Sequence, residues 1–109
     1  HSTGIDVLWA GVPMVALLGD TFPGRVGASL LRAAGLPELI GSSPDEYYGI
    51  ARALARDPQR LLQLRSRLAV DRTACPLFNM PGFVRALEEA YCRMWEEQLQ
   101  LSAAKWPQR

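Results

Sequence analysis

The feature that most constrains this fold is a continuous apolar run at residues 12–18. The run is far shorter than the roughly 20 residues that a membrane-spanning helix needs. Because it is continuous rather than alternating, it is typical of a strand buried on both faces of a parallel sheet. Pro13 fits only at the beginning of such a strand. Residues 38–40 offer a second short strand. Since a doubly wound sheet usually has more strands than these, we expect the sequence to be the end of a longer protein.

Helical patterns fill most of the remaining chain. Thr3 and Asp6 have the spacing of a capping box, with Thr3 as the cap and Asp6 at the third helical position. They predict a short helix that stops at Gly11, because glycine commonly follows the last turn of a helix. Residues 19–23 resemble a loop, and a second helix is expected over residues 24–34.

Three more helices are expected toward the C-terminus. Ser43 and Glu46 form a second capping box, residues 57–58 start another helix, and a long helix is expected over residues 80–104. The positions expected to be buried are Tyr47, Ile50, Ala51 and Leu54, then Leu61, Leu64 and Leu68 on one face. The last helix has an apolar stripe, part of which is expected to face a missing partner lobe: Phe83, Leu87, Ala90, Tyr91, Met94 and Leu99. Helices combined with one or two strands indicate an α/β layer architecture.

The composition excludes several classes of protein. The chain has 109 residues, 49% of them hydrophobic, and a formal net charge of +1, so we expect no binding to nucleic acid or membrane. Cys75 and Cys92 form no zinc-ligand pattern, and two free thiols in a reducing, cytoplasmic compartment are expected. The single histidine is His1, which excludes mechanisms that need an internal histidine.

The first six residues, HSTGID, carry the candidate chemistry. Backbone amides at a helix N-terminus favour an anion, and the hydroxyls of Ser2 and Thr3 lie beside them in sequence. A diphosphate bound there would need no lysine. Asp6, one turn further on, accepts hydrogen bonds and has the reach to bind the two hydroxyls of a ribose. The alternative is that Thr3 and Asp6 only cap the helix.

This region resembles the donor-site segment of the O-linked N-acetylglucosamine transferase family, including its SPINDLY-type members. The resemblance is carried by HSTGIDVLWAGVPMV, GDTFPGRV, LPELI, DEY and PLFN, in that order along nearly the whole chain. Ser2 stands where threonine is commoner and keeps the hydroxyl. Asp20 stands where glutamate is common, and residues 23–24 stand where small residues are common.

The resemblance implies a fold and a site. It implies that residues 1–109 are the C-terminal half of a Rossmann-like GT-B lobe, helix-rich, with one or two parallel strands and a long C-terminal helix. The missing parts would be an N-terminal lobe and tetratricopeptide repeats. It implies that His1, Ser2 and Thr3 contact the UDP diphosphate and that Asp6 binds the ribose. The family's candidate bases and phosphate-binding lysine fall upstream, so no catalytic residue, metal ligand or cofactor is expected here.

The implied function is transfer of N-acetylglucosamine from UDP-N-acetylglucosamine to a protein hydroxyl with inversion. Transfer of another sugar, or a non-catalytic remnant acting in protein assembly, is the alternative. Two further residues have open roles. Arg25 reaches a phosphate or is a solvated or salt-bridged helix residue, and Trp9 is a core residue or a platform for a sugar. The isolated chain is expected to self-associate and to be inactive.

Overall fold

The computed structural model describes residues 2–70 and 72–105, with side chains as far as residue 102. The chain divides into two compact units, His1–Phe78 and Asn79–Arg109. The first contains α1 (Ser2–Trp9), β1 (Ala16–Leu17), α2 (Phe22–Ala33), a 3-10 helix (Pro37–Leu39), β2 (Ile40–Gly41), α3 (Pro44–Arg56) and α4 (Pro58–Val70); the second contains α5 (Met80–Lys105). Within the described part, no helix has the length and apolar character needed to cross a membrane.

The two strands pair in parallel, as the sequence predicts. Ala16 lies opposite Ile40, and Leu17 lies opposite Gly41. The expectation of a strand buried on both faces is wrong, because regular pairing covers two residues and Leu17 is 42% exposed. Burial on both faces needs packing elements on both sides and neighbouring strands along the edges. The second strand also begins later than expected, because the residues before Ile40 form the 3-10 helix.

Left-handed glycines end the first two helices, as the sequence predicts. Gly11 has φ of 77° and Gly35 has φ of 76°, a region where a Cβ atom is disfavoured. Beyond Gly35, the amide of Leu36 donates to the carbonyl of Leu31 at 2.8 Å, and both leucines are fully buried. This hydrogen bond closes the last turn of α2 and turns the chain back into the core.

Helix α2 begins at Phe22, two residues earlier than predicted. Thr21 caps it, because its hydroxyl accepts a hydrogen bond from the amide of Gly24 at 3.3 Å. Pro23 therefore belongs to the first turn, where its fixed φ suits the helix and its missing amide hydrogen is not needed. The expected loop is correspondingly shorter.

The Ser43 cap of α3 is confirmed, whereas Glu46 reaches back to the amide of Ser42 rather than to that of Ser43. The amide of Glu46 donates to the hydroxyl of Ser43 at 3.2 Å, and the Glu46 carboxylate accepts from the amide of Ser42 at 2.7 Å. Helix α4 is capped by Asp57, whose carboxylate accepts from the amide of Arg60 at 3.0 Å. Local sequence chemistry thus fixes where both helices start.

One hydrophobic core holds the first unit together. Its members are Leu8, Leu31, Ala34, Leu36, Leu39, Leu54, Leu64 and Leu68. The predictions for Leu54, Leu64 and Leu68 are confirmed, whereas Tyr47 and Leu61 are exposed. For Tyr47 the reason is a close backbone approach: a Cβ atom on Gly41 would lie 2.6 Å from the Tyr47 amide nitrogen. The backbone of α3, rather than the tyrosine ring, therefore contacts the sheet there.

Helix α5 has the predicted apolar stripe, but its large members are exposed. These are Phe83, Leu87, Tyr91, Met94 and Leu99, while Ala90 is half-buried. The helix begins at Met80 as expected, and Asn79 caps it by accepting from the amide of Gly82 at 3.0 Å. Both cysteines are free, with Cys75 buried and Cys92 exposed.

Candidate functional site

The first turn of α1 differs in one respect from its prediction. The helix begins at Ser2, so Thr3 is its second residue and not its cap, and Asp6 lies beyond the first turn. The close contact of Gly4 with α2 gives the reason. A Cβ atom on Gly4 would lie 2.8 Å from Cδ1 of Leu30, so the first turn packs directly on α2 in helical form. His1, the remaining predicted site residue, lies outside the described residues.

Helix α1 has an inward and an outward face. Gly4 and Leu8 are four residues apart and point inward, and Leu8 is fully buried. Ser2, Thr3 and Asp6 are all exposed. At 3.6 residues per turn, Asp6 lies between Ser2 and Thr3 around the axis and about 6 Å below Ser2 along it. The structure therefore brings together the three predicted site residues that it describes.

The outward face is chemically available. The side chains of Ser2, Thr3 and Asp6 form no hydrogen bond or ion pair with any other residue that the structure describes. The amides of a first helical turn have no acceptor within the helix, and the helix dipole places partial positive charge there. This arrangement offers donors to an anion at the helix start and a carboxylate acceptor one turn below. Because Thr3 is not the cap, capping does not account for it.

An open recess of about 320 Å³ adjoins this turn. Its lining residues are Gly4, Met14, Pro23, Val26, Gly27 and Leu30. The role of Leu30 is not visible in the sequence, because its contact with Gly4 depends on how two helices pack. The start of α2 was readable, since Thr21 is followed three residues later by the glycine whose amide it binds.

Trp9 is the last residue of α1, at the end opposite to Ser2 and Thr3, and it contacts other residues of the first unit. Its ring meets Phe78 edge-on with centroids 5.0 Å apart, and the guanidinium of Arg72 lies 4.8 Å from its ring centroid. These contacts hold the ring at the surface of the first unit, so Trp9, which is 47% exposed, is not a core residue. Arg25 is exposed on α2 and forms no ion pair with the described residues.

Among the described residues, histidine, cysteine, aspartate and glutamate side chains form no group of three or more that could hold a metal ion.

Comparison with known proteins identifies the family. The model of glycosyl transferase family 41 matches residues 1–87. The chain belongs to this family. A Caenorhabditis elegans UDP-N-acetylglucosamine–peptide N-acetylglucosaminyltransferase is 35% identical over 96 residues, covering 88% of this chain and 8% of that protein. The probable transferase SEC of Arabidopsis thaliana is 43% identical over 96 residues, covering 87% of this chain and 10% of that protein.

A solved structure supports both the family and the fold. The Thermobaculum terrenum O-GlcNAc transferase, in its K341M mutant form, superposes with a TM-score of 0.86 at 40% identity. The match covers 94% of this chain and 20% of that protein's chain. The fold is therefore that of a Rossmann-like GT-B lobe of family 41, with two parallel strands and a long last helix. The chain spans a tenth or less of the two curated relatives named above.

Proposed function

We propose that this chain supplies the donor-nucleotide-binding part of a protein O-glycosyltransferase, with UDP-N-acetylglucosamine as the donor. Residues 1–109 would form the C-terminal half of the nucleotide-sugar-binding lobe. The observation that carries the proposal is the outward face of α1, where Ser2, Thr3 and Asp6 are exposed and unpartnered among the described residues. The family supports it, since relatives are named as transferases that use UDP-N-acetylglucosamine and peptides.

The diphosphate is bound at the start of α1. Amides of the first turn and the hydroxyls of Ser2 and Thr3 donate to its oxygens, and the helix dipole adds to the attraction. His1 joins them on the strength of the family resemblance. No metal ion or cofactor is part of the proposal; the UDP-sugar is a substrate.

Asp6 binds the ribose. A carboxylate has two acceptor oxygens, and the two ribose hydroxyls present two donors at a matching spacing. One helical turn separates Asp6 from Ser2, which is comparable to the distance from the α-phosphate to the ribose hydroxyls. Hydrogen bonds to a charged acceptor are among the stronger ones, so Asp6 contributes to donor affinity more than a neutral residue would.

The reaction is a direct displacement at the anomeric carbon. The oxygen of the acceptor hydroxyl forms the new bond to that carbon while its bond to UDP breaks, and the hydroxyl proton passes to a base. The first turn of α1 stabilises the negative charge that develops on the departing UDP. On the strength of the family resemblance, the base comes from a part of the protein that precedes this chain. The 109-residue chain alone is therefore expected to be inactive.

An NMR titration tests this proposal. UDP should shift the amide resonances of Ser2, Thr3 and Asp6, and should bind more tightly than UMP, which lacks the second phosphate. Binding to the isolated chain should be weak, because the N-terminal lobe is absent from it. Shifts confined to other parts of the chain would contradict the proposal, as would equal affinity for the two nucleotides. Complete inability of the parent protein to bind UDP would favour a non-catalytic remnant.

A further inference from the structure

Helix α2 forms one side of the recess next to Gly4, and its direction relative to α1 can be read from two contacts. Trp9, at the end of α1, contacts Phe78, and the neighbouring Leu77 amide donates to the carbonyl of Ala33 at the end of α2. Since Gly4, near the other end of α1, also lies against α2, the two helices run in the same direction. They do not, however, start at the same level.

Helix α2 begins well above the first turn of α1. Gly4 lies against Leu30, and α2 starts at Phe22, eight residues before Leu30. Eight residues of helix rise about 12 Å. Pro23, in the first turn of α2, borders the same recess as Gly4. The side of the recess formed by α2 therefore extends from the level of the proposed diphosphate toward the loop that precedes α2.

That loop is tightly closed and presents one carboxylate. The amide of Gly19 donates to the carbonyl of Gly24 at 3.0 Å, and a Cβ atom on Gly24 would lie 3.0 Å from Cα of Gly19. The hydroxyl of Thr21, in the same loop, accepts the hydrogen bond from Gly24 that caps α2. Asp20 lies between these fixed points, is exposed, and forms no hydrogen bond or ion pair with the described residues.

The chemistry of the Asp20 carboxylate limits the kinds of group that it can bind. An ionised aspartate only accepts hydrogen bonds and repels phosphate, so it suits neutral hydroxyl groups. A diphosphate at the start of α1 lies near the level where Gly4 contacts Leu30, so the sugar is the part of the donor that can extend further along α2. We propose that Asp20 accepts hydrogen bonds from hydroxyl groups of the donor sugar and thereby contributes to the choice of sugar. This inference rests on the proposed donor site at Ser2, Thr3 and Asp6.

The test compares affinities of the full-length protein for UDP-N-acetylglucosamine and for UDP, measured by calorimetry. Asp20→Asn should raise the dissociation constant of the UDP-sugar by ~10- to 150-fold, as expected for one charge-assisted hydrogen bond, and leave that of UDP within about twofold. Equal changes for both ligands, or no change for either, would overturn the inference. A lower melting temperature with both affinities unchanged would also overturn it, by making Asp20 a residue that only stabilises the start of α2.

Two control variants separate this inference from the proposed function. Thr3→Val removes a hydroxyl from the diphosphate turn and should weaken UDP and the UDP-sugar alike. If Thr3→Val leaves UDP affinity unchanged, the proposed donor site itself is wrong. Asp45→Asn removes an exposed carboxylate from the first turn of α3 and should change neither affinity.

Discussion

Arg67 on α4 forms an ion pair with Glu38 in the 3-10 helix. Its second terminal nitrogen donates to the carbonyl oxygen of Gly35 at 2.6 Å. One guanidinium thus joins α4 to the segment that connects α2 with β2. Burial alone would raise the pKa of Glu38, but a backbone hydrogen bond, the hydrogen bond and charge of Arg67 and the charge of Arg60 outweigh it and lower that pKa.

This lowered pKa predicts how stability depends on pH. The ion pair should contribute fully above the ordinary glutamate pKa of 4.5 and should be lost as pH falls through the lower pKa of the folded state. Because both side chains are partly exposed, the contribution should stay below about 1 kcal/mol. The free energy of unfolding of Glu38→Gln, measured from pH 7 to pH 3, should approach that of the unsubstituted chain at acid pH. A difference in the free energy of unfolding between the two proteins that stays constant with pH would contradict this prediction. The control variant is Glu97→Gln on α5.

The Ser43 cap of α3 predicts a local stability effect. Ser43→Ala removes the acceptor for the amide of Glu46 and should lower the free energy of unfolding by about 0.5–2 kcal/mol. Ser29→Ala, at an exposed position within α2, should be close to neutral. Chemical denaturation of the two variants provides the measurement. Equal effects would show that the Ser43 hydroxyl has no particular role as a cap.

Residues with local partners were the ones that the sequence predicted best. Ser43 with Glu46, and the glycines at 11 and 35, act through neighbours three to five residues away, so their roles could be read directly. The expectations for Thr3 and Leu17 are among those that failed for non-local reasons. Thr3 is not a cap because Gly4 packs on α2, and Leu17 is exposed because burial of a strand depends on elements that lie elsewhere in the chain.

The sequence indicated which residues to consider for the candidate site, but not the recess that adjoins them. Ser2, Thr3 and Asp6 were recognisable as candidates because hydroxyls lie beside a predicted helix start with a carboxylate one turn further on, and because the segment resembles the family's donor site. The recess on the inward side of the same turn, next to Gly4, was not recognisable, because it depends on the level at which α2 starts relative to α1. That level follows from the Gly4–Leu30 contact, which joins residues far apart in sequence.

The exposed stripe of α5 predicts self-association of the isolated chain. Exposed apolar faces of this kind usually find a partner, and unpaired strand edges add a second route. Sedimentation velocity of the 109-residue chain should show dimers or larger species, and Phe83→Ser with Tyr91→Ser should shift them toward monomer. A control pair on the charged face, Arg85→Ser with Glu89→Ser, should not. A stable monomer at high concentration would contradict the prediction.

The most direct test of the donor site is the Asp6→Asn variant of the full-length protein. The substitution keeps the size of the side chain and exchanges one acceptor oxygen for a donor. Loss of a charge-assisted hydrogen bond predicts a ~10- to 150-fold rise in the dissociation constant of UDP with little change in melting temperature. Asp45→Asn, the matched control, should leave UDP affinity unchanged. Unchanged UDP affinity in Asp6→Asn, with or without a loss of stability, would contradict the account.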